Sequence, residues 1–388
     1  MEKSVKSDSF NAIGKKALAL HKKARGKFSV AAKVPVKNRD DLKLAYTPGV
    51  GAVSTYLAKN PKAARTYTMK GNSVAVISDG SAVLGLGNIG PYAALPVMEG
   101  KAVIFKEFAD IDAVPIVLST QDTEEIIKIV KAIAPAFGGI NLEDIAAPRC
   151  FEIEARLKKE LDIPVMHDDQ HGTAIIVLAG LLNALKVVGK KISNVRIVIS
   201  GAGAAGTAIA KILAAEHAGE ILVLDRQGII ARRRTDLSPV KRELARLTNP
   251  RNVTGGLADA LRGSDVFIGV SGASLATEAM IRSMNTKSVV FALANPIPEI
   301  MPDLALSAGA AVVGTGRSDF PNQLNNSQVF PGVFRGALDN RVKQITDQMK
   351  RRAARAIASL VPKPSKTHIV PDMFDKRLVK TVARAIKD

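Results

Sequence analysis

The segment NLEDIA sets Glu143 beside Asp144, and VMHDDQHGTA sets Asp168 beside Asp169 between His167 and His171. Carboxylate oxygens are hard donors suited to Mg2+ or Mn2+. Two histidines four apart share one helix face and suit Zn2+. The zinc-protease pattern needs a glutamate after its first histidine, and Asp168 stands there instead. Paired acids are also common on solvated surfaces. Spacing alone therefore leaves three readings: a carboxylate metal site, a histidine metal site, or a charged loop without chemistry.

Two other side chains could move protons. Tyr46, in LAYTPGV, precedes a Pro-Gly turn from which a phenol can project. The plain alternative is a partly buried core tyrosine. Lys101, in MEGKAVIF, stands at the start of an apolar stretch that reads as a strand. A lysine there usually snorkels to solvent. A desolvated one can lose its proton and act as a base.

The third chemical feature is GAGAAG, with Gly201, Gly203 and Gly206 in the G-x-G-x-x-G pattern. The pattern alone is weak, but here a β-branched strand precedes it and an alanine-rich helix comes after it. Gly201 permits the tight turn, Gly203 the close approach of a pyrophosphate, and Gly206 close packing of helix on strand. Ala204 and Ala205 complete the loop, and the helix start offers free N–H groups. Asp225 ends the next strand, where an acid can bond a ribose 2′-hydroxyl and so favour NAD. Arg226 is the next residue and could pair with a 2′-phosphate, which keeps NADP open.

These residues need a scaffold, and the order of patterns predicts an α/β fold. SVAVISDG, AVPIVLS and the run entering NLEDIA read as strands, with a helix over Thr123–Ala136. Residues 10–35 read as a basic amphipathic helix and a short strand. An apolar helix over Gly172–Leu185 leads into the glycine turn. Further strands lie in DVFIGVSG, SVVFALAN and AVVGTG, and helices fill the chain from Val333. The expected division is an N-terminal α/β substrate and catalytic domain (1–165), a Rossmann-type NAD(P)-binding domain (166–340) and a C-terminal helical segment (341–388) that packs back on the body or on a partner subunit.

Composition bounds the partners. The single cysteine, Cys150, excludes internal disulfides and points to the cytoplasm. The longest apolar run, Ala174–Leu182, is far short of the roughly 20 residues that span a bilayer, so no membrane segment is expected. The N-terminus lacks the apolar core of a secretory signal; its basic helix has some transit-peptide character. The net charge is +19, yet aromatics are 4% and Trp is absent. Stacking platforms for bases are scarce, and acid clusters would repel phosphates. A nucleic-acid partner is therefore not expected, whereas an anionic metabolite would be attracted.

Taken together these segments resemble the malic enzymes, in their short bacterial and archaeal form. The resemblance runs from KVPVKNRDDLKLAYTPGV through ISDGSAVLGLGNIG, PVMEGKAVIFKEFADIDAVPIV and NLEDIAAPRCFEIE. It continues in VMHDDQHGTA, ISGAGAAG, FALANPIPE and GTGRSDFPNQLNNSQVFPGVFRGALD. The chain resembles members without the acetyltransferase-like extension. The resemblance implies oxidative decarboxylation of (S)-malate to pyruvate and CO2 with NAD or NADP and Mg2+ or Mn2+. It implies metal ligands at Glu143, Asp144 and Asp169 and a base at Lys101 partnered by Asp168. Tyr46 would protonate enolpyruvate. It places Asn295 near cofactor and substrate, Asn326 and its neighbour Asn325 near substrate, and the histidines outside the metal site. It further implies a homodimer or larger even assembly. The large eukaryotic form has an arginine before its LGLG motif to grip a substrate carboxylate; this chain has Ala82. The alternatives are a malolactic-type or other metal-dependent hydroxy-acid oxidoreductase on the same scaffold, a non-catalytic metabolite sensor and, remotely, a basic nucleic-acid-binding protein.

Overall fold

The computed structural model describes residues 2–83 and 85–388, with side chains from Ala12 onward. Two parallel sheets form the frame. The first contains β1 (Ser73–Ser78), β2 (Asp112–Val117), β3 (Gly139–Leu142) and β4 (Val165–His167) in the order β2-β1-β3-β4. β1, β3 and β4 are buried along their whole length. Such strands read as unbroken apolar runs because helices cover both faces of a parallel sheet.

The second sheet contains β5 (Arg196–Ser200), β6 (Glu220–Asp225), β7 (Gly228–Ile229), β8 (Val266–Gly269), β9 (Val289–Ala292) and β10 (Val312–Thr315), ordered β10-β9-β8-β5-β6-β7. All pairs are parallel except β6–β7. Strand order reverses at β5, between β6 and β8. That is the switch point at which doubly wound sheets open a crevice. Gly201 leaves β5 there with φ +118, and a Cβ on it would meet the Val270 carbonyl at 2.7 Å. A Cβ on Gly206 would lie 1.8 Å from the Gly201 carbonyl oxygen, so only glycine lets the helix Ala204–Ala215 start this close.

Two expected strands do not form. Lys101 lies in the middle of one continuous helix, Gly90–Ala109, called here the lysine helix. Its buried residues Ala94, Met98, Lys101, Ala102, Phe105 and Ala109 recur at the helical period. The short run AVIF cannot by itself distinguish a strand from a buried helix. The segment after the first helix (Glu2–Ala24) also makes no strand. It is tied down by side chains instead: Lys27 donates from its backbone to Glu99 and from Nζ to the Pro96 carbonyl, and Lys33 pairs with Asp112.

The helix Asp168–Val188, the aspartate helix, begins four positions earlier than the apolar pattern suggested. Asp168 and Asp169 thus occupy its first turn, where its positive dipole end favours acids. Its 21 residues are long and apolar enough to cross a membrane, but 72% of the apolar window is buried inside the fold. It is the central core helix. The helix Phe330–Asp339 returns to the lysine helix, with the rings of Phe105 and Phe330 4.6 Å apart. The helix Asp347–Ser359 is tied to the aspartate helix by Asn183, whose amide donates to the Ala358 carbonyl at 2.9 Å.

Candidate active site

Three parallel strands end side by side, in the register Ile77–Leu142 and Leu142–His167. Their C-terminal extensions meet above the sheet edge: Asp79–Ala82 after β1, Glu143–Asp144 after β3, and Asp168–Asp169 after β4. The Glu143 N–H donates to the Ile77 carbonyl, Ala82 N–H to the Asp144 carbonyl, and Asp144 N–H to Asp169 Oδ2 at 2.9 Å. Topology therefore gathers acids that are remote in sequence. One oxygen each from Glu143, Asp144 and Asp169 lie within 4.8 Å of one another. Asp144 holds a left-handed conformation with φ +53 to join them, a sparsely populated region for a residue with a side chain.

Lys101 points into this cluster from the lysine helix. Its Nζ lies 2.5 Å from Asp168 Oδ2 and 2.5 Å from Glu143 Oε2, and 4.2 Å from the centre of the Phe330 ring. The lysine is 6% exposed and Asp168 fully buried. Two carboxylates thus contact one ammonium, and Asp144 and Asp169 act on it through their charge. Burial pushes all four carboxyls up: Asp144 to about 9, with Asp169 and Glu143 adding repulsion; Glu143 to about 7, with Lys101 opposing; Asp168 to about 7, with Lys101 opposing; and Asp169 to about 6, with Lys101 opposing and Asp168 adding to the rise. Burial alone would lower Lys101, but Asp168, Glu143 and Asp169 outweigh it and hold the ammonium well above its ordinary value. Lys101 must therefore give up a proton before it can serve as the base that the resemblance implies. Asp144 Oδ2 and Asp168 Oδ1 are buried without a hydrogen-bond partner. Such oxygens are costly unless a cation or donor meets them. The excess of acid, the three converging oxygens and the orphaned Asp144 atom fit a hard divalent ion.

The histidines stand outside that triad. His171 turns to Glu154 at 2.9 Å. His167 is fully buried and 3.6 Å from Asp169, beyond hydrogen-bond reach. Burial lowers each to about 4, so both are neutral.

Asn326 packs against Gly172, one turn along the aspartate helix; a Cβ on Gly172 would clash with Asp168 Oδ1 and reach Asn326 Cβ at 3.0 Å. Asn325 caps the short turn that carries Asn326, its Oδ1 accepting the Ser327 N–H. Asn295 lies just past β9, and its carbonyl packs on Gly85 of the first sheet's loop, so the two halves of the fold touch beside the site. Tyr46 is not brought to Lys101. It is 66% exposed, and its phenol makes no hydrogen bond among the described residues.

Asp225 ends β6 as expected, but its partners were missed. Arg234 grips both its oxygens, at 2.8 and 3.0 Å, and Lys241 donates at 2.6 Å. Burial opposes these cations, which together pull Asp225 down to about 2. Only the fold of β7 shows that Arg234 rather than Arg226 returns to the acid. Glu154 and Arg149 were also missed. Arg149 Nη2 donates to buried Asp79 at 3.0 Å and to Gln121 at 3.3 Å. No sequence signal distinguishes these residues from ordinary surface charges on a helix.

A glycine turn at the switch point of one parallel sheet, with a buried lysine among carboxylates at the edge of the other, points to the class of NAD(P)-dependent oxidoreductases. Similarity to known proteins narrows the class. Residues 25–158 match the family model "Malic enzyme, N-terminal domain", and residues 170–387 match "Malic enzyme, NAD binding domain". The chain is 57% identical to the NAD-dependent malic enzyme of Geobacillus stearothermophilus, over 93% of this chain and 76% of that protein. It is 54% identical to the bifunctional malic/malolactic enzyme of Bacillus subtilis, over 96% and 92%. The crystal structure of the NAD-dependent malic enzyme from Thermotoga maritima superposes with a TM-score of 0.92 at 50% identity, covering 96% of this chain and 98% of that one. The chain belongs to the malic enzyme family, and its activity is oxidative decarboxylation of malate with NAD(P).

Proposed function

We propose that the reaction centres on Lys101 and a divalent ion, Mg2+ or Mn2+, held by Glu143, Asp144 and Asp169. The observation that carries this reading is the convergence of one oxygen each from Glu143, Asp144 and Asp169 within 4.8 Å, in a cluster where Lys101 pairs with Glu143 and Asp168. The ion would supply positive charge that draws electrons from the new C2 carbonyl and accommodates the charge left as CO2 departs. It would also engage Glu143, loosening that residue's hold on Lys101. Lys101, once its ammonium proton has passed to the paired Asp168, would take the proton of the C2 hydroxyl as the substrate gives up its hydride. Phe330 and the buried wall keep water from the lysine. Asn326 orients the substrate from the side of the aspartate helix, and Asn295 bridges substrate and nicotinamide ribose. Gly201–Gly206 receive the pyrophosphate.

Tyr46 delivers the last proton, to C3 of enolpyruvate, and must be covered to do so. It lies between the helices Arg39–Ala45 and Gly49–Lys59, which have no buried residue and expose Leu42, Leu44, Val50 and Val53. An apolar face of this kind marks an interface. A homodimer through this face would cover Tyr46 and carry it to the partner's Lys101 cluster. The buried, unpaired Cys150 accords with a cytoplasmic setting.

The metal assignment is tested by melting temperature against pH. The carboxyls are raised in the folded state, so the stability they contribute is complete below about pH 4 and is lost as pH rises through 6 to 9. Chelator-treated protein should therefore melt progressively lower from pH 6 to 8.5. Mg2+ favours the ionised carboxylates, so its stabilisation should grow over the same range. An Mg2+ effect that is flat with pH, or largest at pH 6, contradicts the assignment.

For the cofactor we propose acceptance of both NAD and NADP. Asp225 can bond a ribose hydroxyl, while Arg234 and Lys241 beside it can receive a 2′-phosphate once drawn from the acid. Asp225→Ser should raise kcat/KM with NADP relative to NAD by about tenfold, the size of one ion-pair difference of ~1.4 kcal/mol. An unchanged ratio would show that the acid does not face the ribose.

A further inference from the structure

A cavity of about 580 Å³ lies between the helices Arg149–Glu160, Asp168–Val188, Ala204–Ala215 and Asp347–Ser359. Its wall is apolar at Phe151, Ala174 and Ile212, and cationic at Lys158, Lys159, Lys211, Lys350 and Arg351. Two acids also line it: Asp347 pairs with Lys350 at 2.8 Å, and Glu154, an ionised carboxylate, is hydrogen-bonded to His171 at 2.9 Å. Lys211 has its own partner in Glu243, and Arg351 in Glu216. Lys158 and Lys159 form no ion pair within 4.0 Å among the described residues, although Lys158 feels the charges of Glu154 and Asp347.

Lys350 distinguishes this cavity from a patch of surface charge. It is 4% exposed, yet its ammonium faces the cavity within 3.5 Å of His171. Its ion-pair partner, Asp347, is largely exposed, so a buried ammonium beside Lys158 is only partly compensated. Desolvation, with the charge of Lys158 added, lowers the lysine's proton affinity despite Asp347 and Glu154. An anion between Lys158, Lys159 and Lys350 would reverse that, while its apolar part rested on Phe151 and Ile212.

We propose that this cavity is a binding site for a small organic dianion, a phosphate monoester or a dicarboxylate with an apolar body, separate from the malate and nucleotide sites. Glu154 gives an occupant a route to the catalytic centre. Besides His171, its carboxylate accepts the His167 N–H at 3.1 Å and the Gln170 amide at 3.4 Å. Those groups flank Asp168 and Asp169.

Phenyl phosphate and phthalate serve as probes, each titrated calorimetrically into the full chain with Mg2+ and saturating NAD, so that the nucleotide turn is filled. At least one probe should bind with a dissociation constant below about 10 mM, and the responding arm identifies the class of dianion. Lys158→Ala combined with Lys159→Ala should weaken binding at least about tenfold while malate turnover stays at the parent level, which shows that the variant is folded. Lys15→Ala combined with Lys16→Ala removes the same charge elsewhere and should leave affinity unchanged. Lack of binding by both probes, equal binding by the Lys158/Lys159 variant, or equal loss in the Lys15/Lys16 variant overturns the proposal.

Discussion

Lys101→Ala lowers NAD(P)H formation from malate by about 10²–10⁴-fold, the usual contribution of a positioned base, while a sizeable share of metal-dependent oxaloacetate decarboxylation survives. Oxaloacetate already carries the C2 carbonyl, so its decarboxylation needs the cation and not the lysine's proton transfer. Lys101 also neutralises Asp168 and Glu143, and a loss of charge alone could perturb the site. Lys101→Arg separates the two roles. Arginine preserves the positive charge but does not give up its proton in proteins. It should restore metal binding without restoring malate oxidation. Equal losses with malate and oxaloacetate in both variants would show that Lys101 is a structural counter-charge and not the base.

Tyr46→Phe, which removes one hydroxyl from an exposed ring, should slow deuterium exchange into the methyl group of pyruvate by a similar factor of about 10²–10⁴ and leave NAD affinity near that of the parent. Co-expression with Lys101→Ala tests where the phenol acts. If each Lys101 cluster takes its tyrosine from the partner subunit, mixed dimers of the two inactive chains contain one intact site, and random pairing restores about a quarter of the parental sites. No recovery in purified mixed dimers would place Tyr46 and Lys101 of one site on the same chain. Normal exchange by Tyr46→Phe with none by Lys101→Ala would reverse the two roles.

The chemistry was more legible in the sequence than the geometry that delivers it. The glycine turn could be read because β-branched strand, glycine spacing and alanine-rich helix all agree locally. The acids Glu143, Asp144, Asp168 and Asp169 were visible as residues, but spacing left their purpose open. What joins them is the adjacency of β3 and β4 in a parallel sheet, a contact between segments remote in the chain. Lys101 reads as part of a strand because four apolar neighbours outweigh a period that shows only across Gly90–Ala109. The hold of Arg234 and Lys241 on Asp225 depends on a two-residue strand, β7, too short to announce itself. A projecting Tyr46 was one of two readings of its turn, but the exposed apolar face around it could not be read, since apolar residues in 39–59 look the same whether they face a core or a second subunit.

The relationship to a bifunctional malic/malolactic enzyme leaves one competing outcome: the intermediate could be reduced to lactate on the enzyme with its nucleotide recycled. Metal-dependent oxidative decarboxylation is therefore tested most directly by product stoichiometry in one reaction with malate, Mn2+ and NAD, repeated with NADP. The expected result is equal amounts of pyruvate, CO2 and reduced nucleotide, all abolished by chelation and restored by Mn2+. Lactate and CO2 without net reduced nucleotide, or full turnover in the presence of chelator, would contradict it.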